Sequence, residues 1–270
     1  MKKVVFFAFA FLLTHLSQAQ ANEVYRVISI SGLIEHVNLS RALQQGDRIK
    51  LTDPLKFSHK NDFVIVINPK IGRKMIRGVP DNSPRELKLL IESFLKPDEK
   101  STASRSTSSE YWSHLNETLK DTVVILDDGI ITLNSQFINL KPPAVVIAIY
   151  KLKKVAVSRK VSVGQDVALS KLKLLPEVGD EINSKVMIEY YPDEKLSLDL
   201  PGSGELIGYF WPRYVDEDKL EKECQVIVDT YSNQPPTVAI KEIKNFIVEH
   251  YGHVEDTNLA RWIKQRLFTH

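Results

Sequence analysis

The 270-residue chain contains a single cysteine, Cys224, so it cannot form an intramolecular disulfide. Its stability must come from packing. Cys224 sits in LEKECQVIVDTY at the apolar phase of a predicted helix, which reads as a small buried hydrophobe rather than a thiol nucleophile. No apolar run reaches the roughly 18 residues that a membrane-spanning helix needs. The chain has no G-x-x-x-x-G-K-[ST] and no G-x-G-x-x-G, so the common phosphate-cradling loops are missing. H-E-x-x-H and paired C-x-x-C are missing too, which excludes the common zinc sites. There is no G-x-S-x-G nucleophile elbow. These absences remove most enzyme classes that a short motif can announce. Disorder is excluded by composition, because 43% hydrophobic and 26% charged content is ordinary for a globular chain.

The first 21 residues have the form of an export signal. Lys2-Lys3 make a positive start, Val4 to Leu13 an apolar stretch too short to span a bilayer, and Ala19-Gln20-Ala21 an A-x-A cleavage site. Cleavage is expected after Ala21 or Ala19, giving a periplasmic or secreted protein with no transmembrane segment after signal removal. No cysteine lies near the cleavage site to carry a lipid. Removing Lys2 and Lys3 leaves 34 basic residues against 34 acidic ones, and the formal net charge falls from +2 to zero. That balance argues against nonspecific attraction to nucleic acid or anionic membrane.

Downstream, the pattern predicts an α+β protein of two domains. Residues 22–96 read as a small β-rich domain closed by one helix, 97–110 as a Ser-rich linker, and 111–270 as a larger domain of antiparallel strands and C-terminal helices. In EVYRVISIS, Val24, Arg26, Ile28 and Ile30 form the more apolar side of a half-buried strand. From Gly32 to Ile76, short apolar runs are separated by turn chemistry at Gly46-Asp47, Asp53-Pro54, Asn61-Asp62 and Asn68-Pro69, which describes a meander of short strands. Ser83-Pro84-Arg85-Glu86 has the form of a capping box, with Leu87, Leu90, Ile91, Phe94 and Leu95 at helical spacing behind it. PDEKSTASRSTSSE, 97–110, is a linker by composition. The second domain is expected to open with a helix over Glu110 to Leu119. A hairpin through Asp127-Asp128-Gly129 follows, then strands at Ala144–Tyr150, Val155–Val163, Val167–Leu174, Lys185–Tyr191 and Leu206–Trp211. Three amphipathic helices end the chain, from Asp216, from Pro236 to a stop at Gly252, and from Asp256.

Possible chemistry is sparse, and each instance has a plain structural explanation beside it. The turn accounts for Asp127-Asp128. Ser170 and Lys173 match S-x-x-K but lack the companion motifs of that enzyme class. Gly202-Ser203-Gly204 reads as a strand connection. His250 and His253 are separated by the helix-breaking Gly252. The lysines and arginines of KLKKVAVSRK suit either the protected edge of a sheet or an acidic partner. Tyr190-Tyr191 with Tyr209-Phe210-Trp211 form the densest aromatic group, fit for a core or for stacking on a sugar or peptide. A hydrolase or carbohydrate-binding site would draw on Asp193, Asp199, Tyr190 and Trp211. Asn38-Leu39-Ser40 and Asn116-Glu117-Thr118 match the glycosylation acceptor pattern, relevant only to a eukaryotic chain.

One stretch carries a resemblance. Gly32, Leu43-x-x-Gly46-Asp47-x-Ile49, Asp53-x-Leu55-x-Phe57, Asp62-x-Val64-x-Val66 and Gly72 resemble the FecR-type domain, an exported β-rich unit. Those residues cover about 45 of the 270. The usual Asp-Gly turn near its end is replaced by Asn68-Pro69-Lys70-Ile71-Gly72, and the anti-sigma segment and spanning helix that precede this domain in FecR regulators have no counterpart. The resemblance implies an exported β module that binds a partner, without anti-sigma activity; the whole layout resembles exported proteins of Bacteroidota. The expected function is thus non-enzymatic, acting through contacts with another envelope or secreted protein, with no catalytic, cofactor-binding or metal-binding residue and no cofactor assigned.

Overall fold

The computed structural model describes residues 23–78, 83–93, 119, 121–126, 129–132, 141–163, 166–170, 174, 182, 184–195 and 202–268. The expected signal segment, the linker, the helix from Glu110 up to Leu119, Asp127-Asp128, Lys173 and Asp199 lie outside the described residues. The chain is α+β and divides into two compact units, Met1–Thr102 with Lys222–Ala239, and Ala103–Glu221 with Ile240–His270.

The first unit begins with strands β1 (Val24–Ser31), β2 (Ile34–His36), β3 (Arg41–Ala42), β4 (Arg48–Lys50), β5 (Pro54–Phe57), β6 (Phe63–Asn68), β7 (Gly72–Arg77) and β8 (Arg85–Glu86), then helix α1 (Leu87–Ser93). They form two four-stranded sheets, ordered β4-β1-β6-β7 and β3-β2-β5-β8. The strands fall where the apolar runs place them, but the topology is not a meander. The chain crosses between sheets at nearly every turn, and only β2–β3 and β6–β7 are adjacent in both sequence and sheet. Alternating between sheets lets both inner faces share one core of Tyr25, Val27, Ile34, Ile49, Leu55, Phe57, Val64, Val66 and Ile76.

Three of the expected turns use one device. The carboxylates of Asp47, Asp53 and Asp62 accept the backbone N–H three residues earlier, from Gln44, Lys50 and His59, each at 2.8 Å. Short acidic side chains that replace a lost ladder bond are the reason such residues favour turns. Asp47 also takes a two-pronged hydrogen bond from Arg41, both contacts at 2.8 Å. Its backbone carbonyl accepts from Val27 N–H, so the Gly46-Asp47 turn is stitched to β1.

Two expectations for this unit are corrected. In β1 the register against β6 shifts between Val27 and Ser29, leaving Ile28 as the extra residue of a bulge. The core-facing residues are therefore Tyr25 and Val27 before the bulge and Ile30 after it, so of the expected Val24, Arg26, Ile28 and Ile30 only Ile30 joins this core. Arg26 faces away from that core and pairs with Asp229 at 3.5 Å. At the helix start, Ser83 to Glu86 do not open the helix as expected. Arg85 and Glu86 pair with Leu55 and Pro54 as an edge strand, and α1 begins at Leu87. Its first N–H groups are satisfied by the carbonyls of Asp53 and Leu51, at 3.1 and 2.9 Å, so tertiary acceptors stand in for a side-chain cap. Leu87, Leu90 and Ile91 insert into the shared core, as the helical spacing predicted.

The second unit holds β9 (Thr122–Ile125), β10 (Ile130–Thr132), β11 (Val145–Leu152), β12 (Val155–Lys160), β13 (Ser162–Val163), β14 (Asp166–Ala168), β15 (Val186–Tyr191) and β16 (Glu205–Tyr214). Five strands run in the order β12-β11-β15-β16-β9, with β9 parallel to β16 and the other pairs antiparallel; β10-β14-β13 form a second sheet. Val146, Ala148, Ile188 and Phe210 of the larger sheet share a core with Val167 of the smaller, Leu169 beyond it, and Leu119. β9 and β10 belong to different sheets, so Asp127-Asp128-Gly129 does not join a hairpin. β9 finds more hydrogen-bonding surface beside β16 than a two-stranded ribbon would offer. The strand expected over Val167–Leu174 ends at Ala168, and the Leu174 N–H donates to the Ser170 carbonyl instead of a neighbouring strand.

Three helices close the chain: α2 (Glu217–Thr230), α3 (Pro236–His250) and α4 (Asp256–Leu267). Most of the predicted apolar faces are buried, with Leu220, Cys224 and Ile227, then Ala239, Ile243, Phe246 and Ile247, then Leu259, Trp262, Ile263 and Leu267; Glu223, Val226 and Asn258 are buried as well, while the expected Val228 is only partly so. Asp216 caps α2 by accepting Lys219 N–H, and Glu255 caps α4 by accepting from Thr257 and Asn258. The chain leaves α3 through Gly252 at φ +121°, a conformation that residues with a side chain rarely adopt.

Candidate functional site

Alternation along β15 and β16 decides which aromatics face solvent. Val186, Ile188 and Phe210 point into the core, so Met187, Tyr209 and Trp211 point outward. A bulge at Ile207 re-phases β16, which brings Leu206 outward opposite Glu189. Cross-strand pairing then lines up Ile149, Met187 and Tyr209 across three strands, with Trp211 one step further along β16. Met187, Leu206, Tyr209 and Trp211 are 39–49% exposed, although large apolar residues on a finished sheet are normally covered.

The rim of this face is cationic. Lys185 Nζ lies 3.9 Å from the centre of the Tyr209 ring, close enough for a cation–π contact. Arg213 donates to the carbonyls of His250 and Tyr251 at 3.1 Å each, a favourable place for a cation at the end of α3. At one end the face closes over. Val145, Ile147 and Tyr191 are buried together, and the Tyr191 hydroxyl donates to the buried Glu189 carboxylate at 2.7 Å while accepting Gly202 N–H at 3.0 Å. A Cβ on Gly204 would stand 2.6 Å from the Tyr191 ring, so the Gly202-Ser203-Gly204 stretch is shaped by close packing against that ring.

Of the residues proposed for a hydrolase or carbohydrate site, Tyr190 and Trp211 do not converge. Tyr190 packs on the core side of β15, whereas Trp211 lies on the outer face. Tyr190 pairs with Glu205, which puts it roughly 17–20 Å along the strand from Trp211 at about 3.3 Å per residue. Asp193 serves a turn, accepting Lys195 N–H at 2.9 Å. The aromatic group thus splits, with Phe210 in the core and Tyr209 and Trp211 on the surface. Nothing in the apolar pattern alone marked Leu206 and Met187, because a bulge sets the phase of one and burial of alternate neighbours that of the other.

The remaining motifs take structural places. Cys224 is fully buried, and burial, reinforced by the charge of Glu223, pushes its thiol well above the ordinary range, away from the thiolate a nucleophile needs. The His250 ring packs at a tilt against Phe246, centroids 5.1 Å apart, and the His253 backbone extends the edge of β9. Among the described residues no three His, Cys, Asp or Glu side chains gather closely enough to hold a metal. No described helix is long and apolar enough to cross a membrane. The basic stretch runs from Lys151 at the end of β11 through the Lys153-Lys154 turn into β12, the outer strand of the five-stranded sheet, where Arg159 and Lys160 are exposed and Lys160 pairs with Glu194 at 2.9 Å. Charge on an open edge discourages pairing with another chain. Comparison with protein-family models, with curated proteins and with solved structures finds no match to this chain.

Proposed function

We propose that the protein is an exported, non-enzymatic, two-domain protein that acts through contact with another envelope or secreted protein, and that the outer face of β15 and β16 is the contact surface. The observation that carries this reading is the exposed row Met187, Leu206, Tyr209 and Trp211 on one sheet face. Exposed aromatics and methionine are enriched where proteins meet, and Trp and Tyr contribute most of the binding energy at such surfaces. Lys185 and Arg213 at the rim fit a partner whose own apolar patch is bordered by carboxylates. Export is supported by the first 21 residues, and the FecR-type resemblance of Gly32 to Ile76 adds a second partner-binding module. A carbohydrate ligand is the other reading, favoured by Tyr209 and Trp211 standing two residues apart on one face.

Tagged protein recovered from the envelope or medium should begin at Asn22, or at Gln20 if processing stops at Ala19. It should co-purify with one partner at fixed stoichiometry, and Tyr209→Ala with Trp211→Ala should abolish that capture while leaving the protein folded. Retention by a glycan array, with no protein captured, would favour the second reading. Capture that ignores both substitutions would dismiss this surface.

A further inference from the structure

The β11–β12 hairpin joins a cationic tip to an exposed strand edge. Its register closes Leu152 on Val155, so the turn consists of Lys153 and Lys154, at φ +48° and +72°. Two-residue turns of this left-handed kind favour Asn-Gly, because a residue with a side chain is strained there. Shape therefore does not account for the lysine pair. Exposed Lys151 stands beside it at the end of β11, where its backbone N–H and carbonyl both bond to the Ser184 hydroxyl, at 2.9 and 3.1 Å.

The phase of the ladder decides what β12 offers on its other side. Val161 N–H donates to the Val146 carbonyl at 2.9 Å, in continuation of the β11–β12 register. In an antiparallel pair only alternate residues exchange such bonds, so Val155, Val157 and Arg159 bond towards β11, while Ala156, Ser158 and Lys160 aim their N–H and C=O groups away from it. Among the described residues no strand lies beyond β12, and five of its six residues are exposed, Val155 at 66%. The strand has no proline and no bulge, and Val155 to Ser158 carry no charge. An edge of that kind is a template for a further strand.

We infer that the outer edge of β12 takes up an extended segment of an acidic protein partner as an added strand, its carboxylates lying beside Lys153-Lys154 and Arg159-Lys160. Backbone bonds to Ala156, Ser158 and Lys160 hold the segment over roughly 13 Å, at about 3.3 Å per residue, and the flanking cations select it. A second copy of this chain does not fit. Antiparallel pairing of two β12 strands centred on Val157 sets Lys154 of each opposite Lys160 of the other, and like charges so placed repel. The charges that protect this edge from its own kind thus favour an acidic one. The edge is distinct from the exposed row on β15 and β16 and does not depend on it.

Fluorescence polarisation of a labelled peptide of about eight residues, alternating Val and Thr with Glu at both ends, measures docking to the full chain at up to about 1 mM protein. Saturable binding is expected, roughly tenfold tighter than for the same peptide ending in Lys. N-methylation of alternate peptide amides should abolish it. Lys153→Asn with Lys154→Gly keeps the turn while removing its charge, and should weaken binding roughly tenfold. Ser158→Pro removes an outward N–H without breaking the ladder to β11, and should abolish binding. Should that variant fail to fold, the Asn-Gly turn and the methylated peptide carry the test. Tyr209→Ala with Trp211→Ala should leave the affinity unchanged, which separates this edge from the outer face. Absence of saturable binding, equal affinity for the Lys-ended or methylated peptide, or indifference to the turn substitution would overturn the assignment. So would a dimer in sedimentation that Ser158→Pro dissolves.

Discussion

Phe210 and Trp211 are consecutive residues of one strand, yet they should behave as opposites. Phe210 is fully buried among Val186, Ile188 and their neighbours, while Trp211 is 44% exposed on the outer face. Truncating Phe210 to alanine removes apolar surface and leaves a closed cavity, which costs about 3–5 kcal/mol in packed cores. Truncating Trp211 removes roughly 100 Å² of covered apolar surface, an upper bound of about 2.5 kcal/mol at 25 cal/mol per Å², and leaves no closed cavity because one side is already open. Urea unfolding followed by far-ultraviolet circular dichroism measures both changes. Phe210→Ala should lower the midpoint much further, with unchanged slope in each variant. A Trp211→Ala cost equal to or above that of Phe210→Ala would refute the face assignment, and with it the proposed contact surface.

Two further outcomes follow from close contacts. Gly204→Ala should destabilise the second unit by about 1–3 kcal/mol, because the new methyl meets the Tyr191 ring and the Tyr190 carbonyl, and thermal unfolding will show it. The hydrogen bonds from Arg41 hold the Asp47 carboxyl below the usual carboxylate range, helped by Gln44 N–H and opposed by partial burial. A depressed folded-state value adds stability that is present above the unfolded value of about 3.9 and is lost as pH falls through the folded one. Asp47→Asn should therefore flatten the acid limb of a stability–pH profile below about pH 4, and an unchanged limb would contradict the pairing.

Local periodicity carried the helices well. The apolar faces of α2, α3 and α4, the Asp216 cap and the exit at Gly252 were all legible, because each depends on residues within a few positions of one another. Strand positions in the first unit were legible for the same reason, through Asp47, Asp53 and Asp62 at the turns. The errors share a different cause. Ser83 to Glu86 has the composition of a capping box, but the free edge of β5 captures Arg85 and Glu86, and distant carbonyls cap the helix instead. Asp127-Asp128-Gly129 has the composition of a hairpin turn, but β9 is drawn to β16, more than 80 residues away in sequence. In β1 and β16 the bulges at Ile28 and Ile207 exchange the inner and outer sides of the strand, a shift that alternation cannot reveal.

Sequence alone determined that this chain folds without disulfides as an α+β protein, where its helices and most strands lie, and which motif-borne chemistries it lacks. Each of those follows from composition or from spacing over a few residues. Tertiary structure alone decided which strands pair, which side of a bulged strand faces water, and hence that Trp211 is exposed while Phe210 is not. These outcomes depend on which distant partner offers a group the most burial and hydrogen bonds, a competition that no local pattern encodes.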